Sequence, residues 1–296
     1  PSTVPQDLAT SRQRKAALDI LEETTLFFEA AMQSDGGRKA THYLKQRRLD
    51  SAIVKTYRIG YSPRMGLRAA LKDKGFSDDD MLAAGVIRKS DRDGSLYDYF
   101  RDRVMFPIEN RQGKVIAFGA RALGDVQPKY LNSGEGLTFS KKAVLYGWVQ
   151  AREGLRRNLP LVVAEGYMDV IAIHRSGAAA AVAPLGTALT PEQIALLWKL
   201  HDEPVLCFDG DAAGQRAQTR ALERILPLLE PGRSARLAVL PEGKDPDDLI
   251  AASGPEGFRK VIGTARSLVD SLWEQSQAKF DIRQPEARAQ FWQAVR

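Results

Sequence analysis

Apolar residues in the second half of the chain form short continuous runs that alternate with amphipathic stretches. The runs lie within the segments LPLVVAEG, AAAAVAPLG, EPVLCFDGD and SARLAVLPEG. Strands that are apolar on both faces and separated by helices are typical of a parallel sheet covered by helices on both sides. The pattern after residue 160 therefore predicts an α/β domain with flanking helices.

The first half has a different pattern. Apolar residues at helical spacing predict a helix over 12–33, stopped by the glycines at 36–37, and a second, basic helix over 38–48. Two apolar runs joined by a polar turn predict a β-hairpin over 103–121. The Gly-rich segment 128–147 lacks periodicity, so it is expected to be a long ordered loop.

Together these patterns predict a mixed α/β chain in three parts. An N-terminal α+β subdomain covers residues 1–150, the parallel-sheet domain covers 151–245, and a C-terminal helical subdomain covers 246–296. A chain of 296 residues is long enough for cores of this size.

Composition narrows the class of protein. No apolar run approaches the roughly 20 residues that cross a bilayer, and the polar, basic start is no signal peptide. A single cysteine, Cys207, excludes a disulfide framework and a cysteine zinc site, and three histidines disfavour a His-rich metal site. We expect a cytoplasmic protein without membrane contact. Because the chain begins without Met, we also expect a processed or excised fragment.

Charge is distributed unevenly along the chain. Residues 1–160 carry 28 Lys and Arg against 19 Asp and Glu, whereas residues 161–296 carry 15 against 18. A basic half beside a faintly acidic half suggests polyanion binding next to a carboxylate-rich site. Two ordinary solvated surfaces explain the charge equally well.

Acidic residues follow three of the predicted strands. Glu165 ends the first, Asp209 and Asp211 end a later one, and Asp245 and Asp247 follow the last. Ligands of open α/β sheets bind beyond the carboxyl ends of the strands, so these acids share one edge. Crowded carboxylates repel one another, and a divalent cation relieves the repulsion. Each acid alone suits a turn or a helix start, but together they predict a Mg²⁺ site.

Three further residues near these strand ends complete the predicted site. Gly166 and Gly210 are expected to allow sharp turns and close approach of a ligand. Asp169 lies one helical turn after Glu165 and can face the same side. Two interpretations of Asp169 stay open: a further metal ligand or outer acceptor, and an acid that stabilises the first turn of a helix.

The order of these motifs resembles the Toprim domain, which bacterial primases, topoisomerases of types IA and II, some nucleases and a recombination mediator share. The strings EGYMDV, CFDGDAAGQRA and PEGKDPDDLI are similar to the bacterial replicative primase of the DnaG type. In the first half, YFRDRVMFPIENRQGKVIAFGARAL and PKYLNSGEGLTFSKKAVLYG are similar to its N-terminal subdomain and basic motif. The resemblance extends from about residue 10 to 290.

The resemblance implies a DNA-dependent RNA polymerase that makes short RNA primers on single-stranded DNA from ribonucleoside triphosphates. It implies two or more Mg²⁺ or Mn²⁺ ions. By position, Glu165, Asp209 and Asp211 match the central, catalytic metal-binding acids, and Asp245 and Asp247 match the outer ones.

The same resemblance assigns a basic set to binding triphosphate and nucleic acid. Its members, which we call the basic set, are Arg101, Arg103, Arg121, Lys129, Asn132 and Lys141. Alternation along a strand would place Arg101 and Arg103 on one face, and Ser133 is a second candidate phosphate donor beside Asn132. Taken singly, each Arg or Lys is better explained as a surface residue, but as a set flanking one hairpin and one Gly-rich loop they favour an anion site. Three aromatic residues interleave with these cations: Tyr130, Phe139 and Tyr146. They could stack on bases, but we expect at least two of them to pack in the core.

The chain departs from the full-length family pattern. It shows no zinc ribbon and no helicase-binding domain, so we expect a monomeric RNA-polymerase core that elongates but initiates poorly. The replicative helicase and single-strand binding protein are expected partners of the full-length protein. Two alternatives remain: a Toprim nuclease or topoisomerase, and a non-catalytic Toprim scaffold. A topoisomerase needs a tyrosine on a separate DNA-gate domain, and a scaffold would not require the acids and the basic set.

Overall fold

The computed structural model describes residues 4–186 and 188–279, together with residues 284, 286 and 288. The chain divides into two units, Pro1–Val149 and Gln150–Arg296. The last part of the predicted helical subdomain, beyond residue 279, falls largely outside the described residues. None of the helices described is long and apolar enough to cross a membrane.

The first unit mixes short helices with antiparallel strands. Its elements, followed by the helix α6 that contains the boundary, are α1 (Val4–Ala31), α2 (Asp35–Gln46), α3 (Ser51–Thr56), β1 (Gly60–Ser62), α4 (Leu67–Asp73), α5 (Asp78–Ala83), β2 (Ile87–Lys89), β3 (Leu96–Asp98), β4 (Arg103–Glu109), β5 (Val115–Ala122), β6 (Tyr130–Asn132), a 3₁₀ turn (Lys141–Ala143), β7 (Leu145–Tyr146) and α6 (Trp148–Arg156).

A four-stranded sheet in the order β1-β4-β5-β6 organises this unit. The predicted hairpin is confirmed, because β4 and β5 pair antiparallel from Arg103 opposite Ala122 to Glu109 opposite Val115. The two strands are buried along almost their whole length. Phe28 of α1 packs edge-on against Phe118 of β5, with ring centroids 5.4 Å apart. Burial of such rings, together with that of Ile20 and Leu21, stabilises the packing of α1 on the sheet.

The glycines at 36–37 do not stop the first helix, contrary to the sequence prediction. Helix α1 ends at Ala31, and both glycines lie in the first turn of α2. A Cβ on Gly37 would come within 2.3 Å of the Met32 carbonyl oxygen, and one on Gly36 would meet the Tyr61 ring. Close packing therefore explains these glycines, and a local breaker signal does not.

Several short elements escaped the sequence analysis. Helices α3 and α4 are only 6 and 7 residues long, too short for a 3.6-residue period to show. The expected loop 128–147 contains β6, the 3₁₀ turn and β7. β6 is recruited by backbone pairing with β5, which no local pattern reveals.

The second unit contains the predicted α/β pattern of strands and helices and also the segment from residue 246 onward. Its remaining elements are β8 (Leu161–Val163), α7 (Tyr167–Ser176), β9 (Ala180–Pro184), α8 (Pro191–Leu200), β10 (Val205–Cys207), α9 (Ala212–Ile225), a 3₁₀ turn (Leu226–Leu228), β11 (Arg236–Ala238), α10 (Pro246–Gly263), β12 (Arg266–Ser267) and α11 (Leu268–Lys279).

Within this unit the strands follow the order β12-β11-β10-β8-β9. β8, β9, β10 and β11 are parallel, as predicted, whereas the edge strand β12 is antiparallel. The crossover from β8 to β9 runs in one direction along the sheet, and the crossover from β10 to β11 runs in the other. Because such crossovers are right-handed, α7 and α9 cover opposite faces.

His174 fastens α7 to the sheet. Its Nε2 accepts a hydrogen bond from the backbone N–H of Ala181 in β9, at 2.7 Å. Burial, with a smaller contribution from the positive charge of Arg157, lowers the pKa of His174 to about 4. The neutral imidazole is therefore the native form, since a protonated ring has no lone pair to offer Ala181.

We predict that His174 makes the chain acid-sensitive. Its folded-state pKa lies below its unfolded value, so the unfolded chain binds more protons as the pH falls from about 6.5 to 4. The free energy of unfolding should drop by up to about 3 kcal/mol over that window. Urea titrations at several pH values should show a shallower drop in His174→Gln. The exposed His201, replaced in the same way, is the control, and an equal effect of both changes would contradict the assignment.

Candidate functional site

Two neighbouring strands, β8 and β10, mark the point where the strand order of the sheet reverses. From β8 the chain passes to β9 on one side, and later from β10 to β11 on the other. Such a switch point opens a crevice at the carboxyl ends of the strands. Glu165 follows β8 and Asp209 follows β10, and Oε1 of Glu165 accepts a hydrogen bond of 2.9 Å from the Asp209 backbone N–H. The structure thus brings these two predicted acids together.

Backbone hydrogen bonds join the loops that follow β10 and β11. The Gly210 N–H donates to the Lys244 carbonyl at 2.9 Å, and the Gly243 N–H donates to the Gly210 carbonyl at 3.2 Å. A Cβ on Gly210 would lie 2.1 Å from the Pro241 carbonyl oxygen. Glycine is therefore required here for the contact between two loops, and not for the approach of a ligand as the sequence analysis supposed.

Asp211 and Asp245 are both helix N-caps. Oδ1 of Asp211 accepts hydrogen bonds of 2.8 Å from the N–H groups of Ala213 and Gly214 at the start of α9. Oδ1 of Asp245 accepts one of 2.7 Å from the Asp248 N–H in α10. Each cap uses the Oδ1 oxygen of its carboxylate. Capping explains the choice of Asp at these positions and also holds both carboxylates in place.

Asp209 has the least compensated carboxylate of the set. Its Oδ1 is buried and makes no hydrogen bond to any residue in the described part of the chain. Burial, followed by the negative charges of Glu165 and Asp245, raises the pKa of Asp209 to about 7. A buried carboxylate oxygen without a donor calls for a proton or a cation.

The side chain of Asp169, in the first turn of α7, caps the start of that same helix. Its Oδ2 accepts a hydrogen bond of 3.1 Å from the Gly166 N–H at the start of α7. Burial and then the charges of Asp209 and Asp245 raise its pKa well above the usual range. A metal-ligand role for Asp169 stays a prediction. Gly166 has φ −136°, an extended conformation open to any residue, so the turn argument for it is wrong.

Asp247 lies in the first turn of α10 and is buried. Its Oδ1 pairs with Nη2 of Arg175, in the last turn of α7, at 3.3 Å. Arg175 does not stand out in the sequence, because the helix dipole favours a basic residue in the last turn of any helix. The contact of Arg175 with Asp247 joins residues far apart in the sequence, and it forms only when α7 and α10 pack together.

The acids suit a hard divalent cation in their chemistry. All donors are carboxylate oxygens, which Mg²⁺ prefers, and the buried Oδ1 of Asp209 is unsatisfied among the described residues. As they stand, no three His, Cys, Asp or Glu side chains in residues 4–186 and 188–279 are grouped to hold an ion. The expected ligand set, Glu165, Asp209, Asp211, Asp245 and Asp247, therefore stays a prediction that the donor chemistry supports.

Arg101 and Arg103, in the first unit, do not alternate along one strand. β4 begins at Arg103, and Asp102 before it has a φ of 51°, which breaks the strand geometry. Arg103 is buried, and its Nη1 donates to the Pro128 carbonyl at 2.9 Å. Burial lowers the pKa of Arg103. The shared-face argument is therefore wrong, and Arg103 supports the loop before β6.

The other cations of the basic set differ in exposure. The Arg121 guanidinium lies 4.0 Å from the centroid of the Tyr43 ring, and its Nη1 donates to the Ala122 carbonyl at 3.0 Å. Lys129 is exposed, and Lys141 is half-buried. Arg121 thus has a fixed position, and Lys129 has the freest charge of the three to meet an anion.

Ser133 is not available to a phosphate. It is buried, and its hydroxyl oxygen accepts a hydrogen bond of 3.0 Å from the Phe118 N–H. Asn132 ends β6 and is half-buried. The suggestion that Ser133 donates to phosphate is therefore wrong, because its role is to extend the pairing of β5 beyond β6.

Core packing accounts for two of the three interleaved aromatic residues. Phe139 and Tyr146 are buried, and Tyr146 stacks on Tyr57 with ring centroids 6.1 Å apart. Tyr130 is 44% exposed. Only Tyr130 remains as a candidate platform for a base.

An open pocket of about 480 Å³ surrounds Arg101. Arg101 lies over the Tyr97 ring, 4.3 Å from its centroid, and donates from Nε to the Asp98 carbonyl at 2.9 Å. Exposed Arg64 and Met65, the latter 78% exposed, line the same pocket. Further cations of the lining, both paired with Asp78, are Arg68 and Lys72. The sequence analysis missed these residues, because they lie on irregular backbone or on the short helix α4.

Two families match successive parts of the chain. Residues 27–152 match the family described as DNA primase catalytic core, N-terminal domain. Residues 162–250 match a Toprim-like family.

Curated DNA primases are similar over nearly the whole chain. The DNA primase of Pseudomonas aeruginosa is 42% identical over 275 residues, which are 91% of this chain and 41% of that protein. The DNA primase of Escherichia coli K12 is 37% identical over 280 residues, 94% of this chain and 48% of that protein. The chain thus spans less than half the length of the curated relatives it matches.

Solved structures share the fold. A DnaG primase catalytic domain bound to ssDNA is 36% identical with a TM-score of 0.86, covering 95% of this chain and 88% of that chain. The RNA polymerase domain of the Mycobacterium tuberculosis primase DnaG is 30% identical with a TM-score of 0.82, covering 95% and 98%.

We predict that Gly210→Ala disrupts the junction between the two acidic loops. The added methyl group collides with a backbone carbonyl, which cannot rotate away, so the free energy of unfolding should fall by about 1–3 kcal/mol. Gly263→Ala is the matched control, because a Cβ there meets nothing within 4 Å and favours the helix. Guanidinium titrations compare the two. Equal stability of both variants would argue against the junction.

Proposed function

Because the chain belongs to the family of DnaG-type bacterial primases, we propose that it is the catalytic core of an enzyme that makes RNA primers. In this proposal it joins ribonucleotides on a single-stranded DNA template and releases pyrophosphate. The observation that carries the proposal is the uncompensated carboxylate of Asp209 at the switch point of the sheet. The family resemblance alone would leave open whether this chain retains a working site.

We assign Mg²⁺ or Mn²⁺ to the acids at the strand ends. When bound, the metal would draw negative charge from the attacking 3′ oxygen and the leaving pyrophosphate, a task that two ions share in many enzymes. Glu165 is held by the Asp209 N–H, and the helix caps orient Asp211 and Asp245. These backbone bonds preorganise the carboxylates before a ligand arrives. The number of ions is part of the proposal.

We assign the basic set of the first unit to anionic ligands. Exposed Lys129 and Arg101 meet phosphates of the triphosphate or the template strand. Arg103, which is buried, and Arg121, which lies against the Tyr43 ring, hold the surrounding backbone instead. Roles for Lys141 and Asn132 follow from their positions in the same motif. A relative with a similar fold has been solved with ssDNA. Contacts with a replicative helicase and a single-strand binding protein, and a cytoplasmic setting, belong to the same proposal.

We predict that Asp209→Asn abolishes primer synthesis. The amide keeps the shape but removes the charge, so labelled RNA made on single-stranded DNA should fall more than about a hundredfold. Mn²⁺ should raise the melting temperature of the parent chain but not that of Asp209→Asn, because only a bound ligand stabilises the native state.

Asp202→Asn is the control, because this exposed acid precedes β10 and lies at the opposite end of that strand. An Asp209→Asn chain as active as its parent would sink the assignment. DNA cleavage without RNA product would favour a nuclease, and DNA binding with neither activity would favour a scaffold.

We predict that Lys129→Ala weakens binding of single-stranded DNA or of triphosphate without changing Mn²⁺ binding. Loss of one phosphate contact should reduce the slope of log affinity against log salt by about one for the strand. Fluorescence anisotropy at several salt concentrations measures the slope. Lys55→Ala, an exposed lysine of α3 in the same unit, should leave it unchanged. If Lys129→Ala and Lys55→Ala behave alike, the exposed lysine of the basic motif has no special role.

A further inference from the structure

One acid of the strand-end site already has a cation beside it. Arg175 and Asp247 approach to 3.3 Å, and their side chains are only 18% and 12% exposed. Within residues 4–186 and 188–279, no other acid of that site forms an ion pair. The remaining acids are compensated by backbone N–H groups or, like Oδ1 of Asp209, not at all.

The charge of Asp247 reaches a second buried acid, Asp169. Asp169 lies in the combined field of Asp209, Asp245 and Asp247. A half-buried guanidinium fixed on Asp247 therefore offsets the negative potential that Asp247 adds to the site, because interactions of this kind are weakly screened away from solvent. It provides part of the positive charge that a divalent ion would otherwise provide.

We propose that Arg175 is a positioning residue and built-in counter-cation that orients Asp247 and limits how tightly the strand-end acids bind a divalent ion. This inference rests on the proposed function, since it assumes that these acids bind metal. As a consequence, the metal-free chain stays folded despite the clustered acids, and the site does not bind the ion too tightly.

Loss of a counter-cation and loss of a packing residue should change the affinity for a divalent ion in opposite directions. Removing Arg175 takes a cation away from a buried carboxylate, which destabilises the metal-free chain. The same change makes the site more negative, so its affinity for a divalent ion should rise. A residue that merely holds α7 against α10 would, when lost, lower both stability and affinity.

The chain offers a matched structural control. Arg259 of α10 also fastens that helix to the end of α7, because its Nη2 donates to the Gly177 carbonyl at 3.0 Å. Its partners are this carbonyl and Glu256, so it contacts no acid of the site. Arg259→Gln therefore tests the packing of the two helices without changing the charge beside Asp247.

Titration of Mn²⁺ alone, followed by electron paramagnetic resonance, and melting in chelator test the proposal together. Arg175→Gln should lower the melting temperature in chelator yet bind Mn²⁺ about three- to tenfold more tightly. Arg175→Lys, which keeps the charge, should restore the parent affinity. Asp247→Asn should bind more weakly, and the double variant Arg175→Gln/Asp247→Asn should return close to the parent.

Two outcomes would overturn the inference. If Arg175→Gln binds Mn²⁺ as the parent does or more weakly, or changes affinity in parallel with Arg259→Gln, then Arg175 is only a packing residue. The double variant, which buries no lone charge, keeps the comparison valid if Arg175→Gln folds poorly. Failure of the parent chain to bind Mn²⁺ would instead refute the proposed metal site itself, and this inference with it.

Discussion

Uncompensated negative charge at one edge of the parallel sheet is the constraint on which the second unit depends. Strands that run the same way must end at the same edge, so the acids placed after β8, β10 and β11 share one edge of the sheet. The chain offsets this repulsion locally. Backbone N–H groups bond Glu165, Asp211 and Asp245, and a guanidinium pairs with Asp247. Asp209 keeps a buried oxygen without a donor among the described residues, and this oxygen is the reason to expect a cation.

The loops that carry the acids are also shaped by the need to hold several carboxylates at one edge of the sheet. Gly210 lets the loop after β10 lie against the loop after β11, so that their backbones exchange hydrogen bonds. Asp211 and Asp245 then start helices on either side of that junction. Capping and metal binding are therefore not competing explanations of these residues. A carboxylate that accepts helix N–H bonds through Oδ1 is also held still, and a preorganised ligand costs less entropy when it binds.

The predicted phosphate-binding residues of the first unit show how far residue type can mislead. Arg103 and Ser133 look like phosphate ligands in the sequence, but the fold buries both and uses them to tie the backbone around β6. Lys129 and Arg101 stay exposed. Burial decides between these roles, because a guanidinium bonded to a carbonyl inside the fold has no free face to offer an anion. Residues with the same chemistry in one motif thus divide into supports for the backbone and candidates for binding.

The amino-acid sequence by itself determined the α/β pattern, the hairpin predicted over 103–121 and the common edge of the strand-end acids. These follow from short-range periodicity and from the geometry of parallel strands, which any such sequence must obey. Only the tertiary structure decided that Gly36 and Gly37 pack closely instead of ending a helix, and that Arg175 faces Asp247. Such contacts join residues on different elements, and their partners leave no mark on the local pattern. The physical reason is that periodicity is a property of one segment of the chain, whereas packing depends on the shapes of two surfaces that meet in the fold.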